Sequence, residues 1–398
     1  MSPSQHVALR TGSVLGLVAR RSLGNEQGLA LVMTLFVVAL VTVLVLEYHF
    51  DASVELDLAA NYANDVQAYH LALAGVRFAD AMLRRDNPNA DGPDDDWYKL
   101  GLVPACFPPQ QLLELATIGV GASPDSAVAA SPDTAGLAAQ NDVGCVSLKI
   151  TDEDSKLPLN ALKPSTGSVN GAPPGLWGPI FQGFFDSFQL DSEVMEALLD
   201  WLDADDTPRG AGGAERSYYE RLPVPYTPPE AGDMRTPGEL RLVKGLDNPE
   251  ELAKLFPGVA PEALADLDLG SNDYLTPFVP ASPTAKVNLN TASKAVLMAL
   301  FKGIPGISSA EAEVDELDTR RREGQFGNMS AAVPNSSIRG RLNPVAKVSS
   351  QYFRVESVGV VGIVHKKIVA VFKRPSPGAI PSSPSPSTSS NILYFKVE

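Results

Sequence analysis

Asp200, Asp203, Asp205 and Asp206 fall within seven residues of one another. They close the stretch SEVMEALLDWLDADDTPRG, in which Val194, Met195, Leu198, Leu199 and Leu202 recur at helical spacing. Carboxylates that close at a helix C-terminus repel one another and the carbonyl end of the helix. A divalent cation relieves both, and calcium takes six to eight oxygens, chiefly from carboxylates and carbonyls. Glu215 follows the Gly-rich GAGGA run and can return as a further ligand. The spacing is not that of an EF-hand: Pro208 stands where that loop needs glycine, and Glu215 falls one place late. On spacing alone a solvated acidic turn remains the alternative.

Other chemistry-bearing residues are weaker candidates. In DNPNADGPDDDW, Asn87, Asn89, Asp91 and Gly92 match the start of a calcium loop, but Tyr98 stands where its bidentate Glu belongs, so a solvated acidic loop is expected. Cys106 and Cys145 can form one disulfide in an oxidising compartment or remain two thiols; their separation decides nothing. His6, His49, His70 and His365 are scattered, and neither a zinc site nor a nucleophile elbow emerges. A non-enzymatic protein is expected. KVNLNTASKAVLMALFKGIPGISSAEAEVDELDTRRREGQF, residues 286–326, has helix-hairpin-helix character. Its second helix carries Glu311, Glu313, Asp315, Glu316 and Asp318, and the whole chain has a net charge of −15. Both work against phosphate-backbone binding, so no nucleic-acid partner is expected and the hairpin reads as structural.

The elements that hold these residues follow from periodicity. Residues 29–46 run without a charge, Pro or Gly and rise about 27 Å as a helix, close to the hydrocarbon thickness of a bilayer. Arg10, Arg20 and Arg21 precede the run, and Glu47, Asp51, Glu55 and Asp57 follow it, which sets the N-terminus in the cytoplasm and the bulk across an inner membrane, in contact with its lipid. The far end has no small-residue cleavage site, so the span stays in the mature chain. Helical character continues to Arg85, with Leu56, Ala60, Ala63, Val66, Ala68, Leu71, Ala74, Phe78 and Met82 as a loose apolar stripe. VSLKI, and then YFRVESVGVVGIVHKKIVAVFKRP with a turn near 361–364, alternate as strands; NILYFKVE closes the chain as another. Residues 121–142 and PSPGAIPSSPSPSTSS are low-complexity connectors.

The basic leader ending at Gly28, followed directly by the apolar helix, resembles the type IV pilin-like leader. That likeness implies cleavage between Gly28 and Leu29 by a prepilin peptidase, methylation, and a retained helix. The fifth residue from Leu29 is Met33, where pilins and major pseudopilins carry Glu. Together with D-W-x-D-x-D…G-A-E-x-x-Y-Y, the N-T-A segment and the closing strands, this resembles the K-type minor pseudopilins of the type II secretion system. The resemblance implies an α+β fold: a long N-terminal transmembrane and amphipathic helix packed on an antiparallel pilin-like sheet, with a large all-helical insertion. Its expected divisions are a leader at 1–28, a span at 29–46, pilin-like segments at 47–160 and 349–398, and an insertion at 161–348. It further implies calcium held by Asp200, Asp203, Asp205, Asp206 and Glu215, and a place at the pseudopilus tip with other minor pseudopilins and the major pseudopilin. The runner-up function is a membrane-anchored, calcium-dependent periplasmic binding protein outside any pilus.

Overall fold

The computed structural model describes residues 23–102, 105–118, 144–163, 175–229, 232–265, 269–280, 285–375 and 391–398. The first 22 residues of the leader, the connector at 121–142 and nearly all of the second low-complexity run lie outside the described residues. The chain divides into two compact units, residues 1–64 and 65–398.

Helix α1 runs Leu23–Arg85 and passes from the first unit into the second. Within the first unit, residues 29–46 are exposed throughout, and α1 is long and apolar enough to cross a membrane. Thr34 and Thr42 return their hydroxyls to the carbonyls of Leu31 and Val38, so neither presents an unsatisfied donor to an apolar surrounding.

In the second unit α1 lies on a five-stranded antiparallel sheet of order β1-β2-β7-β8-β9. The strands are β1 (Cys106–Phe107), β2 (Cys145–Asp152), β7 (Tyr352–Val361), β8 (Val364–Lys373) and β9 (Asn391–Val397). Two-residue strands β3 (Leu157–Pro158) and β4 (Leu275–Thr276) form one parallel ladder; β5 (Val287–Asn288) and β6 (Ala346–Lys347) form another. The β7–β8 hairpin turns on Gly362 and Ile363, with Gly362 at φ 57° in the first central position, where a type II′ turn takes glycine.

The buried stripe of α1 is Ala68, Ala72, Val76, Ala79 and Leu83, with Gly75 buried among them. This corrects the stripe expected from sequence, of which only Ala68 is fully buried; Leu71, Phe78 and Met82 are half-buried and Val66 and Ala74 exposed. The cause is close approach. A side chain on Gly359 would run into the Ala68 carbonyl, and one on Gly75 into Ser357 and Val146. Small residues therefore face the sheet and larger ones flank the contact. Leu148, Ile150, Phe353, Val355, Ile368, Ala370 and Phe372 supply the strand side of this core, with Trp97 and Leu100 closing its end.

The chain leaves the sheet at Asp152 and re-enters it at Tyr352; between them lies a mainly helical body with its own core, built around Phe181, Phe184, Leu198, Leu202, Tyr219, Leu297 and Phe301. A buried polar hub joins body to sheet. Asp152 Oδ2 accepts from Asn288 Nδ2 at 3.0 Å, Thr291 Oγ1 at 2.5 Å and Ser350 Oγ at 2.6 Å. Asp154 accepts from the backbone of Gln351 and Tyr352 and pairs with Lys347 at 2.9 Å. Asp91, fully buried, accepts from Ser350 N and Arg374 Nη2, both at 2.6 Å. The expectation of a solvated loop at 86–97 thus fails at Asp91: its charge turns inward because Arg374 is there to meet it.

The segment 286–326 is a hairpin of helices, Lys294–Gly303 and Ala310–Glu323, with Gly306 at φ 83° in the turn. Lys294–Asp315 (2.6 Å) and Lys302–Glu311 (3.0 Å) tie the two helices together. Asn288 and Asn290 at its root belong to the polar hub, both donating to the Asp91 carbonyl.

Candidate metal centre

The helix Ser192–Leu202 carries the acidic block. Asp191 caps its start by accepting from Glu193 N, and Val194, Ala197, Leu198 and Leu202 bury its inner face. Packing fixes the rotation of this helix and brings Asp200 inward with it; Asp203 is the C-cap. The Gly-rich return then folds back over Asp200. Arg209 N donates to Asp200 Oδ2 at 3.1 Å, Gly213 N to Arg209 O at 2.8 Å, and Gly212 N to Glu196 Oε2 at 2.8 Å. A Cβ at Gly213 would collide with Asp200 Oδ2 and the Arg209 backbone, so the loop closes only with glycine there. Glu215 ends the return and begins the helix Arg216–Tyr219, whose Tyr219 stacks edge-on against Trp201 at 5.3 Å.

This path brings one carboxylate oxygen from each of Asp200, Asp203 and Glu215 within 4.8 Å of the others. Asp205 and Asp206 line the same cleft, of about 370 Å³, together with Arg216, Pro228 and Pro229. They are exposed and stand outside the triad: Asp205 Oδ1 accepts from Thr207 N at 2.9 Å, and Asp206 lies 4.0 Å from Arg216 Nε. Of the five residues singled out in the sequence, three converge and two form the rim.

The electrostatics are those of an excess of negative charge. Burial, then the charges of Asp200, Asp203, Asp205 and Asp206, push the Glu215 carboxyl up to about 8. Burial raises Asp200 to about 6, with the Arg209 backbone N–H and guanidinium pulling the other way. Glu215 is 4% exposed, and its Oε1 meets neither solvent nor a hydrogen-bond donor. A buried carboxylate oxygen without a donor is costly. The donor set is all oxygen, which suits a hard cation such as calcium rather than a soft metal. A second acidic group, Asp86, Asp91 and Asp95, also converges, but Arg374 reaches Asp91 at 2.6 Å and Asp86 at 3.2 Å, and Gly92 N and Gln325 Nε2 engage Asp95.

The other expected sites are placed as follows. Gly28 is exposed on α1, with no heavy atom within 4 Å of where a Cβ would stand, and Leu29 follows it on the same exposed helix. Cys106 and Cys145 are disulfide-bonded, Cα atoms 5.3 Å apart, joining β1 to the first residue of β2. What sequence reasoning missed is the hub of Asp91, Asp152, Asn288, Ser350 and Arg374. Its one legible trace was the pair of apolar-flanked asparagines in VNLN, residues 287–290.

A long exposed apolar helix that continues onto a small antiparallel sheet defines a pilin-like protein. The comparisons with known proteins narrow that class. The family model for type II secretion system (T2SS), protein K, matches residues 155–261, which enclose the acidic block. The type II secretion system protein K of Pseudomonas aeruginosa is 28% identical over 372 residues, 89% of this chain and 91% of that protein. Its counterpart in Aeromonas hydrophila is 29% identical over 190 residues, 46% of this chain and 50% of that protein. A chain of the GspK–GspI–GspJ complex from the enterotoxigenic Escherichia coli type 2 secretion system is similar in fold, with a TM-score of 0.50 at 16% identity, covering 88% of this chain and 99% of that one. The chain is thus similar to protein K of type II secretion, in one matched segment at 155–261 and, at 28% identity, over most of its length.

Proposed function

We propose that this chain is a minor pseudopilin, sits at the tip of the pseudopilus, helps to start its assembly, and has calcium bound by Asp200, Asp203 and Glu215. The observation that carries the tip position is Met33. An apolar residue at the fifth place after Gly28 leaves no carboxylate to meet a neighbour's N-terminal amine inside a fibre, and an unpaired one buried there would be costly. A subunit with no neighbour above it loses nothing by lacking that pair. The solved relative forms a complex with GspI and GspJ, and we carry the same kind of partner across: sister minor pseudopilins meeting the pilin-like part of this chain. The mainly helical body between Asp152 and Tyr352 is then a cap on the fibre, held to the pilin-like sheet by the polar hub. Before assembly the protein is a single-pass inner-membrane protein with its bulk in the periplasm, where the Cys106–Cys145 disulfide is stable.

Calcium at the triad would supply charge neutralisation, fixing the C-terminal end of Ser192–Leu202 against the Gly-rich return. Co-expression with sister minor pseudopilins tests the assembly part. The chain should co-purify with them after detergent extraction, and a chain that stays alone under those conditions sinks the proposal.

A further inference from the structure

Arg209 stands on two of the three converging carboxylates. Its Nε lies 3.1 Å from Asp200 Oδ1 and its Nη2 2.5 Å from Asp203 Oδ2. All three side chains are largely withdrawn from solvent, at 16%, 0% and 6% exposure. The guanidinium donates a hydrogen bond to Asp203 and faces Asp200 as an ion pair, so one charge bridges two carboxylates. It does not complete the site. One positive charge faces three carboxylates, and the third of these, Glu215, keeps an oxygen that is buried and without a hydrogen-bond donor.

A divalent cation collecting the triad would enter beside this guanidinium. Like charges at such short range in a largely buried place repel strongly, so the ion is bound against Arg209 unless that side chain turns out. The backbone permits that with little else moving. Arg209 N remains on Asp200 Oδ2, Gly213 N remains on Arg209 O, and Pro208 and Gly210 flank the residue, with Gly210 already at φ 53°.

We propose that Arg209 is a built-in competing cation: it holds Asp200 and Asp203 together when calcium is scarce, is displaced from them when calcium binds, and so sets the calcium concentration at which the 203–215 return is locked. The inference rests on the calcium reading above and adds a mechanism by which this chain tunes it. Its consequence is a site that stays intact without the ion yet binds it less tightly than the bare triad would, the behaviour of a sensor of periplasmic calcium rather than a permanent structural ion.

The test uses the full chain in detergent, as wild type and as Arg209→Met, which keeps the bulk and removes the charge. Calcium titration calorimetry and thermal melts in chelator and in saturating calcium are the readouts. Arg209→Met should bind calcium at least tenfold tighter, melt lower than wild type in chelator, and lose that deficit in saturating calcium. Equal or weaker binding, or an unchanged melt in chelator, overturns the role of Arg209 while leaving wild-type calcium binding intact. An equal deficit in both conditions also overturns it, since Arg209 would then merely brace the loop. Absence of calcium binding in both proteins overturns the calcium reading, and this inference with it. If Arg209→Met does not fold, Arg209→Lys carries the test. It keeps the charge but loses the guanidinium bridge across the two carboxylates, and should bind calcium a few-fold tighter than wild type; no gain overturns the proposal.

Discussion

Glu215 and Asp152 are both buried carboxylates, yet they answer to different partners. Glu215 faces other carboxylates, whereas Asp152 faces donors from Asn288, Thr291, Ser350 and the Asp154 backbone. Removing Asp203, Asp205 and Glu215 together should abolish the calcium response. At a hundredfold excess over Kd, binding to the folded form alone adds about 2.7 kcal/mol, several degrees of melting temperature. Wild type should therefore melt lower in chelator than in calcium and the triple variant should not respond; equal responses would move the metal elsewhere. Asp152 makes a pH prediction. Burial, then the neighbouring Asp154 charge, raises its carboxyl to about 7. An acid with a raised folded-state pKa holds its proton longer folded than unfolded, so its contribution to stability falls as pH rises from about 4 to about 7. Asp152→Asn should flatten the fall in melting temperature between pH 5 and pH 8, and an unchanged profile would contradict this. The acidic block was legible in the sequence because its members are neighbours within a turn of chain. The hub was not, because Asn288 and Ser350 reach Asp152 across 136 and 198 residues, and no local pattern records such a meeting.

At the scale of elements, strands announced themselves and faces did not. β2, the β7–β8 hairpin and β9 follow from alternation, since one side chain in two must point to the core. Nothing in the alternation placed β1, only two residues long, or the helix Pro109–Ile118. The stripe expected on α1 takes in Leu71, Phe78 and Met82, whereas the helix meets the sheet chiefly through alanine and glycine, which leave no strong periodic mark in an apolar sequence. Gly359→Val tests that packing: the new side chain has the Ala68 carbonyl in its way, so backbone must shift, and a loss of about 3 kcal/mol or more is expected in chemical denaturation. A near-neutral variant would mean the helix does not lie so close. The disulfide closes a separation of 39 residues, which in the chain-entropy account stabilises by about 4 kcal/mol. Cys106→Ser with Cys145→Ser should lower stability by an amount of that order, and reduction of wild type should reproduce it.

At the scale of the whole molecule, α1 has two characters. Residues 29–46 are apolar on every side, exposed and long enough to cross a membrane; from Ala68 onward the helix has one small-residue face, which lies on the sheet. Under the proposed function that division makes one helix both anchor and core. The mainly helical body has a hydrophobic cluster distinct from that of the sheet and is rooted to it by charge and amide contacts, with Tyr352 of β7 in the body's cluster and Phe278 against Tyr394 of β9 as apolar contacts. Met33→Glu bears on the position in the fibre: it should not improve secretion of exported substrate, and improved secretion would argue for an interior place. The N-terminus of the mature chain is the most direct test of a pilin-like subunit. Sequencing the membrane-extracted protein from cells with and without prepilin peptidase should give Leu29 in the first and the uncut leader in the second, with Gly28 replaced by a bulky residue giving the uncut leader in both. A mature chain that begins downstream of residue 46, or one that loses its leader without the peptidase, would contradict it.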